Sequence, residues 1–231
     1  MLEQLKKEVL EANLSLAKNG LVVLTWGNAS GIDREKGLIV IKPSGVPYEK
    51  MTIEDLVVVD MEGKVKEGRL KPSVDLPTHI ELYKRFKEIK GVVHTHSSYA
   101  TSFAQAKRPI ECYGTTQADT FYGAIPLVRE LTQEEITAEY EKNTGVVIAE
   151  SLGERHLDKP GCLVSSHGVF SWGASPRKAA ENALIIESCA KMALQTLLIN
   201  PEAKPIPEYL AKEHYERKHG SNARYGQGEE Q

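Results

Sequence analysis

The sequence predicts a single α/β domain over residues 1–231, and two observations lead to this fold class. Helical and strand-like patterns alternate along the whole chain, as expected for a sheet covered by helices. The 231 residues also suffice for one substantial hydrophobic core without disulfide or metal support. The sequence contains no repeats, low-complexity segments or linker-like stretches, so a second domain is not expected.

Apolar periodicity and capping residues predict the helices. The first helix has one apolar face, formed by Leu2, Leu5, Val9, Ala12 and Leu16. Thr132 and Glu135 form a capping box, which predicts a helix that continues to about Glu150. Prolines mark the first turns of three further helices: Pro77, Pro176 and Pro207.

Short apolar runs, rich in β-branched residues and bounded by turn residues, predict buried strands. These runs occupy residues 38–41, 56–59, 91–96 and 162–164. Together with the intervening helices, they give the alternating pattern that indicates the fold class.

The composition and net charge of the chain argue against some classes of binding partner. Apolar residues make up 41% and charged residues 26% of the chain, as in an ordinary globular protein. The net charge of −3 predicts no attraction to nucleic acid or to an anionic membrane surface. A continuous apolar run long enough to span a membrane is absent, and residues 1–18 lack the apolar core of a signal peptide.

The cysteines Cys112, Cys162 and Cys189 form neither a close pair nor a C-x-x-C motif. Neither a disulfide framework nor a cysteine zinc site is therefore expected. Buried thiols in a reducing compartment are the simplest interpretation, which predicts a cytoplasmic protein.

Three histidines are candidate metal ligands. His94 and His96 are two residues apart on a predicted strand, so their side chains are expected on one face. His167 follows another predicted strand, in a turn where Gly168 permits close backbone approach. Three neutral imidazoles leave one tetrahedral position open, as in catalytic zinc sites. The alternative is that they are hydrogen-bonded core or turn histidines. The other histidines, His79, His156, His214 and His219, lie in polar or helical contexts and are weaker candidates.

Three polar turns could bind a phosphate group through backbone amides, hydroxyls and lysine charge. They occupy residues 26–30, 42–45 and 71–75, and the last two contain Lys-Pro-Ser. Each alone could be an ordinary turn. Because none has the spacing of a Walker loop or a dinucleotide fingerprint, a small phosphoester is favoured over a nucleotide.

Eight motifs give the chain a specific resemblance over residues 1–227. They are LTWGNAS at 24–30, IKPSGV at 41–46, KPSVDLPTH at 71–79, VVHTHS at 92–97, GTTQAD at 114–119, FYGAIP at 121–126, SHGVFSWG at 166–173 and HYERKHG…YGQ at 214–227. With these motifs the chain resembles the class II aldolase/adducin-head family, and within it the L-ribulose-5-phosphate 4-epimerases. The resemblance implies one α/β domain with a central, mainly antiparallel sheet flanked by helices. It also implies a homotetramer with active sites between subunits, to which the tail at 220–231 contributes.

The resemblance implies a role for each matching residue. The implied metal site holds one zinc ion per subunit, with cobalt or manganese as substitutes, and comprises His94, His96, His167 and the acidic Asp75 as ligand or close partner. The implied phosphate site comprises Gly27, Asn28, Ser44, Gly45, Ser73 and Val74, and the turn chemistry adds Lys42. The implied acid/base pair is Asp119 and Tyr225, with Glu141 and His214 in support, and Tyr225 is expected from the neighbouring chain.

The activity that the resemblance implies is interconversion of L-ribulose 5-phosphate and D-xylulose 5-phosphate by C3–C4 cleavage and re-formation. Such epimerases serve arabinose or ascorbate catabolism. The alternatives are an aldolase of the L-fuculose-phosphate type and a non-catalytic module like the adducin heads. Asp75 favours the epimerase, because the aldolases that the chain resembles carry glutamate there.

Two residues depart from the epimerase pattern. Val74 stands in place of a second serine, which removes one hydroxyl from the implied phosphate site but leaves a backbone amide. Gln117 stands in place of a histidine two residues before Asp119, with no consequence that the sequence assigns.

Overall fold

The computed structural model describes residues 2–220 and residue 223, so Tyr225 and most of the 220–231 tail lie outside the described residues. Its centre is an eight-stranded sheet in the order β4-β3-β2-β1-β5-β8-β7-β6. The strands are β1 Asn28–Asp33, β2 Leu38–Ile41, β3 Val57–Asp60, β4 Val65–Glu67, β5 Gly91–Thr95, β6 Leu127–Val128, β7 Gly161–Val164 and β8 Gly168–Gly173. Every pairing is antiparallel except β6 with β7, which confirms the predicted sheet.

Seven α-helices flank the sheet in the described chain. They are α1 Glu3–Lys18, α2 Leu76–Arg85, α3 Ser98–Gln105, α4 Thr115–Ala118, α5 Gln133–Leu152, α6 Pro176–Ile199 and α7 Glu208–His219. Short 3-10 helices occupy Tyr48–Lys50, Ile53–Asp55 and Gly153–His156. The predicted capping box is present, since Thr132 accepts a hydrogen bond from the Glu135 amide and Glu135 accepts one from the Thr132 amide.

Both faces of the sheet are buried, which explains the continuous apolar strand sequences. Alternate residues of β2 face opposite layers: Ile39 and Ile41 pack with α2 and α5, whereas Val40 packs with α1. The same alternation in β5 sends Val92 toward α2 and α5, and Val93 toward α1 and α6. His94 shares the face of Val92, so it lies on the side covered by α2 and α5.

Helix α6 is long and apolar enough to cross a membrane by length and composition alone. Its small residues instead pack it closely against the sheet and α1. Ala179, Ala183 and Ile186 are buried in these contacts. The helix therefore serves as a core helix of this domain.

Strand β1 was not predicted, because its sequence Asn-Ala-Ser-Gly-Ile-Asp lacks a β-branched apolar run. Its first five residues are nevertheless buried, and two of their polar side chains have partners in the segment 73–79: Asn28 Nδ2 donates to Ser73 Oγ, and Ser30 Oγ lies 2.7 Å from His79 Nδ1. Strand β5 ends at Thr95, one residue earlier than predicted, where its pairing with β8 ends at Val169.

Helix α5 is not the uninterrupted helix that its capping box predicted. Glu139 has φ −150° and ψ 78°, which breaks the helical backbone after about two turns. Beyond the break the helix packs closely on α2: a Cβ at Gly145 would lie 2.9 Å from the Thr78 carbonyl oxygen. This contact fixes the second part of α5 beside the sheet face that carries His94.

Substitution of Gly91 tests the packing that supports β5. A Cβ at Gly91 would lie 2.4 Å from the Ser175 carbonyl oxygen, whereas a Cβ at Gly114 would meet nothing within 4 Å. We expect Gly91→Ala to lower the free energy of unfolding by about 2–3 kcal/mol through overpacking. Gly114→Ala is the matched control and should change it by less than about 0.5 kcal/mol. Urea denaturation measures both; equal stabilities of the two variants would contradict the packing argument.

Candidate active site

The histidine cluster is assembled by two neighbouring strands. His94 lies near the end of β5, His96 follows that strand, and His167 lies in the turn between β7 and β8. The turn is tight: Ser166 adopts φ +59°, its amide donates to Ala104, and its hydroxyl donates to Glu130. One ligand atom from each of the three imidazoles lies within 4.8 Å of the other two.

The hydrogen bonds of His94 determine which nitrogen can bind a metal. Its Nδ1 lies 2.8 Å from the Val169 carbonyl oxygen across the β5–β8 pairing. A carbonyl only accepts, so Nδ1–H donates and the lone pair is on Nε2. That Nε2 lies 2.9 Å from Nε2 of His96, inside the cluster. The donor set therefore fits a divalent ion.

Loss of hydration keeps two of the three histidines in the cluster uncharged at neutral pH. Burial, followed by the charge of His94, lowers the pKa of His96 to about 4. Burial, then His94 and His96, lowers the pKa of His167 to about 3. Metal ligation requires neutral imidazole, so these shifts prepare the histidines for an ion.

Asp75 lies beside the cluster but is not among the three ligand residues that the structure groups together. Asn28 Nδ2 donates to Asp75 Oδ2 at 2.6 Å and to Ser73 Oγ at 3.0 Å. Burial opposes ionisation of Asp75, but His94, His79 and the Asn28 bond outweigh it and hold its pKa below the ordinary value. Asp75 thus stands as a charged neighbour of the cluster, and its role as a ligand or close partner stays a prediction.

The two Lys-Pro-Ser turns pair with each other. The Ser44 amide donates to the Lys71 carbonyl and the Ser73 amide donates to the Lys42 carbonyl, both at 3.0 Å. These amides are therefore engaged within the protein. Among the described residues, none accepts a hydrogen bond from the amides of Gly45 or Val74.

The three predicted phosphate turns and the histidines meet at one cavity of about 390 Å³. Its lining comprises Thr25, Trp26, Gly27, Asn28, Lys42, Pro43, Ser44, Gly45, Ser73, Val74, Asp75, His94, His96, Tyr140, Glu141 and His167. Val74 is 66% exposed. At the position where the epimerase pattern has a serine hydroxyl, this chain therefore presents an apolar side chain to solvent.

Lys42 is almost completely buried behind this cavity. Its Nζ donates to the carbonyl oxygens of Thr25 and Pro43 at 3.2 and 3.3 Å, and it lies 4.8 Å from the ring centre of Tyr48. Burial lowers the pKa of Lys42, while the nearby Asp75 opposes that shift. The lysine thus ties the 24–30 and 42–45 segments together as well as adding positive charge.

Tyr140 was missed by the sequence analysis, although it follows the break in α5 and lines the cavity beside the predicted Glu141. Its hydroxyl lies 3.2 Å from His167 Nδ1. An interrupted helix is a backbone property, and the capping box and apolar pattern of α5 gave no signal of it.

Asp119 and His214 form a second cluster that does not line this cavity of the described chain. Asp119 ends α4 and contacts α7, where His214 Nδ1 and Arg217 each lie 3.0 Å from its Oδ1. Partial burial opposes ionisation of Asp119, but hydrogen bonds from His214, Lys218 and Arg217 keep its pKa below the ordinary value.

Gln117 supports the segment that carries Asp119. Its Nε2 donates to the carbonyl oxygens of Ile110 and Gly123, both at 3.0 Å. One amide thus joins the two ends of the loop that contains α4. The sequence did not assign this role.

The remaining histidines have structural partners. His79 lies 2.7 Å from Ser30 Oγ, and His156 Nδ1 lies 2.7 Å from the Gly153 carbonyl oxygen. His219 contacts the Asp119 backbone. None belongs to the described metal-ligand cluster, in agreement with the prediction that these histidines are weaker candidates for metal ligands.

Comparison with known proteins places this geometry in a family. The family described as Class II Aldolase and Adducin N-terminal domain matches residues 7–194. The chain belongs to the class II aldolase/adducin family. The L-ribulose-5-phosphate 4-epimerase UlaF of Salmonella paratyphi B is 53% identical over 227 residues, which cover 98% of this chain and 100% of that relative.

Solved structures of class II aldolase-family proteins share the fold. An L-fuculose 1-phosphate aldolase superposes with a TM-score of 0.80 at 25% identity, covering 94% of this chain and 96% of the other. YgbL of Klebsiella pneumoniae, described as a putative aldolase/epimerase/decarboxylase, gives a TM-score of 0.74 at 25% identity and covers 92% and 99%. The class II aldolase family is metal-dependent, and the histidine triad of this chain could hold the ion.

Acidification tests the buried histidine behind the site. Burial lowers the pKa of His79 from 6.5 to about 3. The unfolded chain therefore binds a proton at His79 below pH 6.5 while the folded chain does not, so stability present above pH 6.5 is lost as the pH falls toward 3. Going from pH 7 to 5 should cost about 2 kcal/mol for this group.

Urea denaturation at pH 7 and pH 5 measures this effect for the wild type and for His79→Gln, which retains a polar partner for Ser30. The variant should lose about 2 kcal/mol less over this interval. Equal losses in both proteins would show that His79 does not contribute.

Proposed function

We propose that this chain is an L-ribulose-5-phosphate 4-epimerase that interconverts L-ribulose 5-phosphate and D-xylulose 5-phosphate. The observation that carries the proposal is the single cavity where the histidine triad faces the turns with phosphate-binding chemistry. Identity of 53% with a curated epimerase over nearly the whole chain supports this substrate class over others in the family.

Epimerisation at C4 cannot proceed by simple deprotonation. The C4 proton is two carbons from the ketone at C2 and is not acidic. Cleavage of the C3–C4 bond is feasible instead, because the 4-hydroxyl loses its proton, C4 becomes an aldehyde, and the bond electrons pass to C3 as an enediolate. The aldehyde then rotates, and re-formation of the bond to its other face inverts C4.

The histidine triad supplies the electrophilic side of this chemistry. A divalent ion held by His94, His96 and His167 would polarise the ketone and stabilise the developing negative charge. Three imidazoles are the donor set of catalytic zinc sites, so we propose zinc, one ion per subunit, with cobalt or manganese as substitutes. Asp75 provides a fixed negative charge beside the triad, oriented by Asn28.

The phosphate turns keep the aldehyde fragment in place. We assign phosphate binding to the amides of Gly45 and Val74, which donate to no residue that the structure describes, to the hydroxyl of Ser44 and to the charge of Lys42. The other predicted phosphate residues, Gly27, Asn28 and Ser73, line the same cavity. Gly27 approaches the backbone of β5 so closely that a Cβ would lie 2.9 Å from the His94 carbonyl oxygen. Tethering of this kind retains glycolaldehyde phosphate through the rotation, which separates an epimerase from an aldolase.

Asp119 and Tyr225 are the proposed acid/base pair, one on each face of the aldehyde, and Glu141 and His214 are supporting groups. The low pKa of Asp119 keeps it ionised and able to take a proton from the 4-hydroxyl. Because Asp119 and His214 lie outside the cavity of their own chain, we propose that they act in the cavity of a neighbour. This requirement supports an oligomer with active sites between subunits, and we propose the homotetramer that the family resemblance implies.

The proposed setting is the cytoplasm, in catabolism of a pentose such as arabinose. Phosphorylated substrates are confined within cells by their charge. The three buried free thiols, Cys112, Cys162 and Cys189, also suit a reducing compartment.

The proposal predicts the products directly. Purified protein loaded with Zn²⁺ should convert L-ribulose 5-phosphate into D-xylulose 5-phosphate, measured with a coupled assay for the ketose product. Chelation should reduce the rate at least about 100-fold, and added Zn²⁺ should restore it. Release of dihydroxyacetone phosphate and lactaldehyde from L-fuculose 1-phosphate, without pentose interconversion, would instead identify an aldolase. Absence of any bound divalent ion and of activity would identify a non-catalytic module.

Substitution of the acid/base pair gives a second test. Asp119→Asn and Tyr225→Phe should each lower kcat at least about 100-fold, because each removes a proton-transfer group. Asp158→Asn is the matched control for the first, since Asp158 also contacts α7, through Tyr215 at 3.1 Å. Tyr209→Phe, at a tyrosine that is 77% exposed, is the control for the second. Full activity of either acid/base variant would remove that residue from the pair.

A further inference from the structure

We propose that Tyr140 is a positioning residue of the metal site, which holds the ring of His167 so that its Nε2 faces the ion. The inference rests on the metal site of the proposed function and extends it to a side chain that neither the motifs nor the family match single out. Its basis is the contact between the Tyr140 hydroxyl and His167 Nδ1, at 3.2 Å.

Each ring nitrogen of His167 has a distinct environment. Nδ1 faces the Tyr140 hydroxyl, and the two rings are tilted by 37° with centres 5.8 Å apart. The ring centres of His94 and His96 lie 4.8 and 5.0 Å from the ring centre of His167. Since a metal ligand must present a lone pair to the ion, Nε2 has to be the unprotonated nitrogen.

The proton of His167 must then be on Nδ1, where it donates to the Tyr140 oxygen. His94 is held in the same tautomer, but by the Val169 carbonyl of the backbone. Thus two of the three ligands have their outer nitrogen fixed, one by main chain and one by a side chain. Tyr140 is the partner that a substitution can remove.

The helical backbone of α5 is interrupted next to Tyr140, whose side chain lines the cavity. The break at Glu139 directly precedes Tyr140. Carbonyl groups around it are satisfied by side chains: Asn143 Nδ2 donates to the Glu135 carbonyl at 2.8 Å, and the Thr78 hydroxyl donates to the Glu141 carbonyl. Because side chains donate hydrogen bonds to these carbonyl groups, the break is a stable part of the fold.

Accepting a hydrogen bond from His167 leaves the phenolic proton of Tyr140 free. Because Tyr140 lines the cavity together with Lys42 and Glu141, that proton can be donated to an oxygen in the cavity. Tyr140 would thereby link the metal-ligand ring to a hydroxyl of the sugar. Both hydrogen bonds, from His167 and to the sugar, are made by the hydroxyl group of Tyr140 and not by its ring.

Tyr140→Phe removes only that hydroxyl. We expect the dissociation constant for Zn²⁺, measured by competition with a chelator of known affinity, to rise about 10- to 100-fold. Cobalt-substituted protein should also show an altered visible absorption spectrum, which reports the ligand geometry. Tyr99→Phe is the matched control: Tyr99 is another half-buried tyrosine, on α3, and its hydroxyl makes no contact with the histidine cluster.

A double-mutant cycle separates positioning from general destabilisation. In a His167→Ala background, Tyr140→Phe should leave Zn²⁺ affinity unchanged, because the ring that it positions is absent. An undiminished effect in that background, or wild-type affinity in Tyr140→Phe itself, would overturn the inference while leaving the epimerase proposal intact. Failure of the wild-type chain to bind Zn²⁺ would overturn both.

Discussion

The hydrogen bond from His94 Nδ1 to the Val169 carbonyl is the contact on which the site depends most. It crosses the β5–β8 pairing, so the register of two buried strands determines the orientation of a ring. The register of β1 with β5 places Asn28 opposite His94, and the Asn28 amide then orients Asp75. A shift of one residue would turn His94 to the other layer. Packing of the sheet is therefore a condition for the chemistry.

Electrostatics explains why the cavity contains neutral rings and few fixed charges. Uncharged imidazoles can be buried without the large cost of an isolated ion, and burial itself lowers the pKa of His96 and His167. The charges that are present have polar partners: Asp75 accepts a hydrogen bond from Asn28, and Lys42 contacts two carbonyl oxygens and the Tyr48 ring. Such a site is prepared for a cation on one side and an anion on the other.

The division of polar groups into two clusters has a mechanistic meaning within this family. The histidine triad and the proposed phosphate turns belong to the sheet and its loops, whereas Asp119 follows α4 and His214 lies on α7. The L-fuculose 1-phosphate aldolase shares the fold of this chain at 25% identity. In the proposed mechanism, the phosphate turns retain the aldehyde and the second cluster acts when it returns on the opposite face.

The sequence by itself determined the α/β class, the strands with β-branched runs, the capped helices, the three histidines and the turns that meet them. These features are local, since periodicity, caps and motif spacing are read within a few residues. Tertiary structure decided what local patterns do not encode: strand β1, whose Asn28 and Ser30 have partners in the distant segment 73–79, the mutual pairing of the Lys-Pro-Ser turns, and the break at Glu139 that brings Tyr140 to His167. Each of these depends on contacts between residues far apart in the chain, which form only once the sheet and its helices are packed.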